Sequence, residues 1–195
     1  GMIYDEEQAL RVGRELAALD YLWFEDPAPE KEGAIETYAR LREQLDIPIC
    51  APETVPGAHF ARAKWIEHGA SDISRIDVYH GGITACMKVA HLCQAHGMPL
   101  EIHSTATDGH NLQVLGAVPE ATAVYIEDYD LEPESGRAWV GANYMVDTPD
   151  GGRTYPWAKG GVAKVDAEGY AVLPDTPGVG LDPDWDYVRA HPWEG

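Results

Sequence analysis

The chain has 195 residues, 45% of them hydrophobic, enough for one domain with a substantial core. Fourteen basic against thirty-three acidic residues give a formal charge of −19. That excess argues against nucleic acid and against an anionic membrane surface, both of which require Lys and Arg. No apolar run approaches the ~20 residues of a membrane span, and no basic-then-apolar stretch marks a signal peptide. Cys50, Cys86 and Cys93 form no CxxC pair, which points to buried thiols in a reducing cytoplasm.

From Asp5 to about Glu127, helical and strand patterns alternate. Asp5 caps a first helix with Gln8 three residues on, and Ala9, Val12, Leu16 and Leu19 recur at helical spacing. Asp20 breaks it. The run Tyr21-Leu22-Trp23-Phe24 is continuously apolar, the pattern of a strand buried on both faces. A second helix carries Ile35, Tyr38, Leu41 and Leu45 as its stripe, and Ile47–Cys50 is the next strand. Pro56 suits the first turn of a third helix, which stops at Gly69. Asp72 to Tyr79 reads as a strand. Ile83 to His96 is a fourth helix closed by Gly97. A strand over 99–102, a helix near Asn111–Leu115 and a strand over Ala123–Ile126 complete the series.

Helices of about a dozen residues between short buried strands imply parallel pairing through crossovers. Five such strands suit either an open doubly wound sheet or part of a barrel. Residues 129–195 change character: they are rich in Gly, Pro, Asp and aromatics, with a hairpin-like stretch over Gly141–Gly161 and one strand over Gly169–Pro174.

Acidic or imidazole groups sit in or just past these strands: Glu25, Glu53, Asp77, His103 and Glu127. In parallel α/β folds the functional face lies where strands end. Carboxylate oxygens suit hard cations such as Mg²⁺, and a histidine beside a carboxylate is a general acid/base pair.

The order of these groups resembles the mandelate racemase/muconate lactonizing branch of the enolase superfamily. The resemblance rests on Trp23-Phe24-Glu25-Asp26-Pro27, Pro52-Glu53, Asp77-Val78-Tyr79-His80-Gly81-Gly82-Ile83-Thr84, Glu101-Ile102-His103 and Tyr125-Ile126-Glu127. A tail resembling the family's follows, Pro174-Asp175-Thr176-Pro177-Gly178-Val179-Gly180 with Asp184-Trp185-Asp186. It implies a partial (β/α) barrel over residues 1–128, with residues 129–195 as an extension packed on it. The family's first metal-ligand Asp, its lysine base, its first strands and its N-terminal capping domain would precede Asp5 and are not in this chain.

The resemblance further implies Mg²⁺ held by Glu25 and Glu53, His103 as base or acid, Asp77 as its orienting partner, and Glu127 on the substrate. The expected reaction is proton abstraction α to a carboxylate, in an acid-sugar dehydratase or a racemase. The implied partners are a small carboxylate or acid-sugar substrate and further copies of the chain covering open sheet edges, with no nucleic acid and no membrane. Asp77 lies one residue closer to Gly81-Gly82 than the family pattern, so either Asp77 or, with a shifted register, Ile76 holds the dyad position. Two further readings stand beside the enzyme. One is a catalytically silent relic of the same fold; the other is a binding domain whose carboxylates form a solvated rim.

Overall fold

A computed structural model describes residues 2–103, 109–119, 122–126, 146–147, 153–154, 157, 159, 173, 177–180 and 182–192. The elements in chain order are α1 (Glu6–Ala18), β1 (Phe24–Glu25), α2 (Ala34–Gln44), β2 (Ile49–Cys50), α3 (Ala58–Glu67), β3 (Ser74–Ile76), α4 (Gly82–His96), β4 (Leu100–Ile102), α5 (Gly109–Ala117), β5 (Ala123–Ile126), β6 (Val146–Asp147), β7 (Arg153–Thr154) and α6 (Trp185–Ala190). They fall into two compact units, residues 1–103 with 118–125 and residues 104–117 with 126–195.

In the first unit the strands run in chain order. β1 pairs parallel with β2, and β3 pairs parallel with β4, which is flanked by β5. A parallel bridge from Cys50 to Ile73, with Ala51 N–H donating to the Ile73 carbonyl at 3.1 Å, joins the two sheets. Short strands alternating with helices make this an α/β fold with parallel strands. The helices form where their termini are satisfied. Asp5 and Gln8 complete a reciprocal capping box on α1, and Gly97 closes α4 in the left-handed conformation.

Helices α1 and α2 bury Ala9, Tyr38 and Leu41 against Phe24, Ile47, Ile49 and Trp65. The Tyr38 hydroxyl donates to the Ala28 carbonyl at 2.6 Å, and its ring meets Trp65 edge-on at 4.7 Å. Burial of this apolar surface is the main stabilising term, at about 25 cal/mol per Å². Cys50, Cys86 and Cys93 are free and buried; burial pushes the Cys86 thiol up to about 12 and Cys93 to about 11.

Three expectations are corrected. Tyr21 and Leu22 are not in a strand and are 58% and 60% exposed. Tyr21 N–H still bonds back to the Leu16 carbonyl to close α1, so sheet pairing begins only where Phe24 N–H reaches the Pro48 carbonyl at 2.8 Å. The third strand stops at Ile76, because Asp77 caps a single 3₁₀ turn over Val78–His80 and leaves Tyr79 exposed. Pro56 stands ahead of α3, whose N-cap is Gly57 at φ 104°.

In the second unit, Val146–Asp147 and Arg153–Thr154 form an antiparallel pair within the hairpin-like stretch, and Asp184 caps α6 through its side chain. Of the strand expected over Gly169–Pro174, only Leu173 lies among the described residues, and it is not in a strand. Among the described residues no helix is long and apolar enough to cross a membrane.

Candidate active site

Strands β3 and β4 carry the centre of the site. Their register sets Arg75 opposite Glu101 and Ile76 opposite Ile102. Side chains two apart share a face, so Arg75 and Asp77 project together, as do Glu101 and His103, while Ile76 lies on the other face and is fully buried. The result is two tiers. In the inner tier Arg75 Nε lies 2.9 Å from Glu101 Oε2. In the tier at the strand ends Asp77 Oδ2 lies 2.5 Å from His103 Nδ1. Asp77, not Ile76, therefore faces the histidine. Asp77 leads into the 3₁₀ turn before Gly81-Gly82, whose Tyr79 and His80 N–H groups both donate to Asp77 Oδ1, at 2.7 and 3.1 Å.

Glu25 and Glu53 arrive from β1 and from the loop after β2. Glu53 is held from two sides. Glu30 accepts its backbone N–H at 2.7 Å and Thr54 N–H at 2.6 Å. Arg62, fully buried, donates to the carbonyls of Glu53 at 2.6 Å and Val55 at 2.7 Å. With its backbone fixed, the Glu53 side chain reaches both neighbours: Oε1 is 3.2 Å from His103 Nε2 and Oε2 is 3.4 Å from Arg75 Nη1. Arg75 Nη1 also lies 2.8 Å from Glu25 Oε1 and 3.0 Å from Asp26 Oδ2.

Electrostatics follow from this crowding. Burial, with the Glu30 carboxylate beside it, pushes Asp26 up to about 10. The carboxyl groups of Glu25, Glu53 and Glu101 all face Arg75. Burial would also raise Asp77, but its bonds to His103 and His80 outweigh that and hold the carboxylate below its usual range. Burial disfavours the His103 imidazolium and Arg75 opposes it; the bond to Asp77, with Glu53, outweighs both and raises its basicity.

The structure thus brings Glu25, Glu53, Asp77 and His103 into one cluster; Glu127 lies outside the described residues. The sequence reading missed Arg75, Glu101, Asp26, Glu30 and His80 as members. The available signal was a charged residue inside each of two apolar strands, Ser74-Arg75-Ile76 and Leu100-Glu101-Ile102.

An α/β domain that sets an Asp–His pair beside strand-end carboxylates defines a class of site. A family model, enolase C-terminal domain-like, matches residues 1–187, and the chain belongs to that family. D-glucarate dehydratase from Agrobacterium tumefaciens, complexed with magnesium, is 31% identical with a TM-score of 0.77, covering 96% of this chain and 44% of that one. A racemase from Streptomyces coelicolor with bound magnesium shares the fold, at 22% identity and a TM-score of 0.73, covering 97% of this chain and 44% of that one. Among curated proteins, arabinonate dehydratase of Saccharolobus solfataricus is 34% identical over 110 residues, 53% of this chain and 27% of that protein. D-xylonate dehydratase of Haloferax volcanii is 26% identical over 191 residues, 96% of this chain and 40% of that protein. The chain spans between 27% and 41% of the length of the curated relatives it matches.

The donor set fits a hard divalent cation. Glu25, Asp26 and Glu53 each offer an oxygen within 4.8 Å of the others. Mg²⁺ commonly binds one or two carboxylates, with water and substrate oxygens completing its shell.

Proposed function

We propose that this chain forms part of a (β/α) barrel and serves a divalent-metal-dependent lyase or isomerase of the mandelate racemase type, acting on an acid sugar, with dehydration the favoured outcome. The observation that carries this reading is the Asp77–His103 pair, 2.5 Å apart, with Glu53 3.2 Å from the other ring nitrogen. The relatedness to acid-sugar dehydratases supports it.

Asp77, itself fixed by two backbone N–H groups, holds the His103 ring and keeps the proton on Nδ1. Nε2 is then the atom that takes a proton from the carbon α to the substrate carboxylate. In a dehydration the proton is lost with a β-hydroxyl; in a racemisation it returns to the carbon. Glu25 and Glu53 would hold Mg²⁺, which supplies positive charge where the substrate carboxylate gains negative charge. By the family resemblance alone, Glu127 is proposed to contact the substrate.

A second reading, a domain of the same family without turnover, draws support from Arg75. Its guanidinium lies within ion-pair distance of Glu25 and Glu53, so the protein carries its own cation for these carboxylates. Incubation with a panel of acid sugars and Mg²⁺ in deuterated water separates the two. Exchange of the α-proton or formation of a 2-keto product, lost in His103→Asn, is the expected result. No exchange with any sugar at saturating Mg²⁺ would overturn the enzyme reading and leave the second.

A further inference from the structure

Asp77 does not serve His103 alone. Its second oxygen, Oδ1, lies 3.0 Å from Nδ1 of His80, so one buried carboxylate is flanked by two imidazoles. A ligand atom from each of Asp77, His80 and His103 lies within 4.8 Å of the other two. We propose that Asp77, His80 and His103 form a binding site for a borderline transition-metal ion of the Zn²⁺ class, separate from the hard-cation carboxylates Glu25 and Glu53.

The chemistry of the donors sets the selectivity. Two imidazole nitrogens with one carboxylate favour Zn²⁺, Co²⁺ or Ni²⁺, whereas an all-oxygen set favours Mg²⁺. Three protein ligands leave coordination positions open to water or a small anion. The ligands are also pre-oriented. Asp77 is fully buried and tied by the Tyr79 and His80 N–H groups. His103 Nε2 faces Glu53 Oε1 at 3.2 Å, the carboxylate–histidine pairing by which outer groups orient a metal-bound imidazole. Metallation at Nδ1 requires each ring proton to sit on Nε2, and Glu53 is placed to accept that of His103. His80 and His103 are only partly buried, which gives an ion a path in. The 3₁₀ turn that follows Asp77 folds His80 back onto it.

An ion here would hold His103 through Nδ1 and exclude the Asp77–His103 hydrogen bond, so its occupancy would silence proton abstraction by His103. The binding itself does not depend on the enzymatic reading. The test is titration of the full chain with Co²⁺, read by its visible absorption, and with Zn²⁺, read by calorimetry. One equivalent is expected to bind, with intensified absorption showing nitrogen ligands and fewer than six neighbours. His80→Ala is expected to weaken binding at least tenfold, while Glu25→Gln leaves it within about twofold. Tyr79→Ala, which keeps all three ligands, is expected to retain it. Zn²⁺ affinity unchanged in His80→Ala, or lost in Glu25→Gln with His80 intact, would overturn the proposal; so would binding seen only at other histidines.

Discussion

Arg75 decides the charge balance of the site. It is fully buried and serves Glu25, Glu53 and Glu101 together, of which Glu101 is 2% exposed. Arg75→Met would leave Glu101 charged and buried without that partner. Breaking a buried pair from one side costs about 3–5 kcal/mol, and a loss of this size is expected in urea unfolding. Arg75→Met with Glu101→Gln is expected to recover part of it, since the charge left behind is removed. Asp26 is a second residue-scale case. Its native proton is held to about 10, against about 3.9 in an unfolded chain. Between those values the native state holds a proton that the unfolded state has released. Stability therefore falls as pH rises through this window. Asp26→Asn keeps a neutral, planar group that tolerates the positive φ of 37° found there. It is expected to match the parent near pH 4 and to gain stability relative to it with rising pH, by up to about 1 kcal/mol per pH unit; equal pH dependence in thermal unfolding would refute this. The strand-end rule exposed Glu25, Glu53, Asp77 and His103 in the sequence. It could not expose Arg75, because the pairing of Arg75 with Glu101, 26 residues on, is fixed by register rather than by any local pattern.

The turn from Asp77 to Gly82 is where one element controls several of these groups. Gly81 adopts φ 144°, and a Cβ there would lie 2.6 Å from Ala58 Cβ and 2.7 Å from Ala85 Cβ, so α3 and α4 pass too closely for any side chain. Gly81→Ala combines a strained backbone with overpacking and is expected to cost roughly 2–4 kcal/mol. It should also displace His80 from Asp77, seen as loss of the His80–Asp77 proton coupling in imidazole NMR. Gly82→Ala, where a Cβ meets nothing within 4 Å, carries only backbone strain and is expected to cost less. The helices were legible because their ends are chemical: Asp5 with Gln8, and Gly97, are read directly from side chains. Strand limits were less so. β1 and β2 have two residues each, and the apolar Tyr21-Leu22 preceding β1 belongs to the exit from α1. The residues after Asp26 also gained a meaning the sequence did not disclose: Glu30 is the acceptor that fixes the loop bearing Glu53.

Over the whole chain the charge of −19 sets a background against which any cation site must be judged. Excess like charge destabilises a compact state, and salt screens it over a Debye length that shrinks from about 30 Å at 0.01 M to about 3 Å at 1 M. Sodium chloride alone is therefore expected to raise the unfolding temperature gradually and without saturation at a stoichiometric level. Magnesium adds a second, separable effect if Glu25 and Glu53 hold it. Binding to the native state stabilises by RT ln(1 + [L]/Kd), about 2.7 kcal/mol at a hundred times Kd. At matched ionic strength, MgCl₂ is expected to exceed NaCl by a saturable increment, and Glu25→Gln is expected to remove that increment while leaving the NaCl response intact. Coincident curves for the two salts would mean that Mg²⁺ acts only as a screening ion. The carboxylates would then have Arg75 as their working cation, and the reading without turnover would be the better account of this chain.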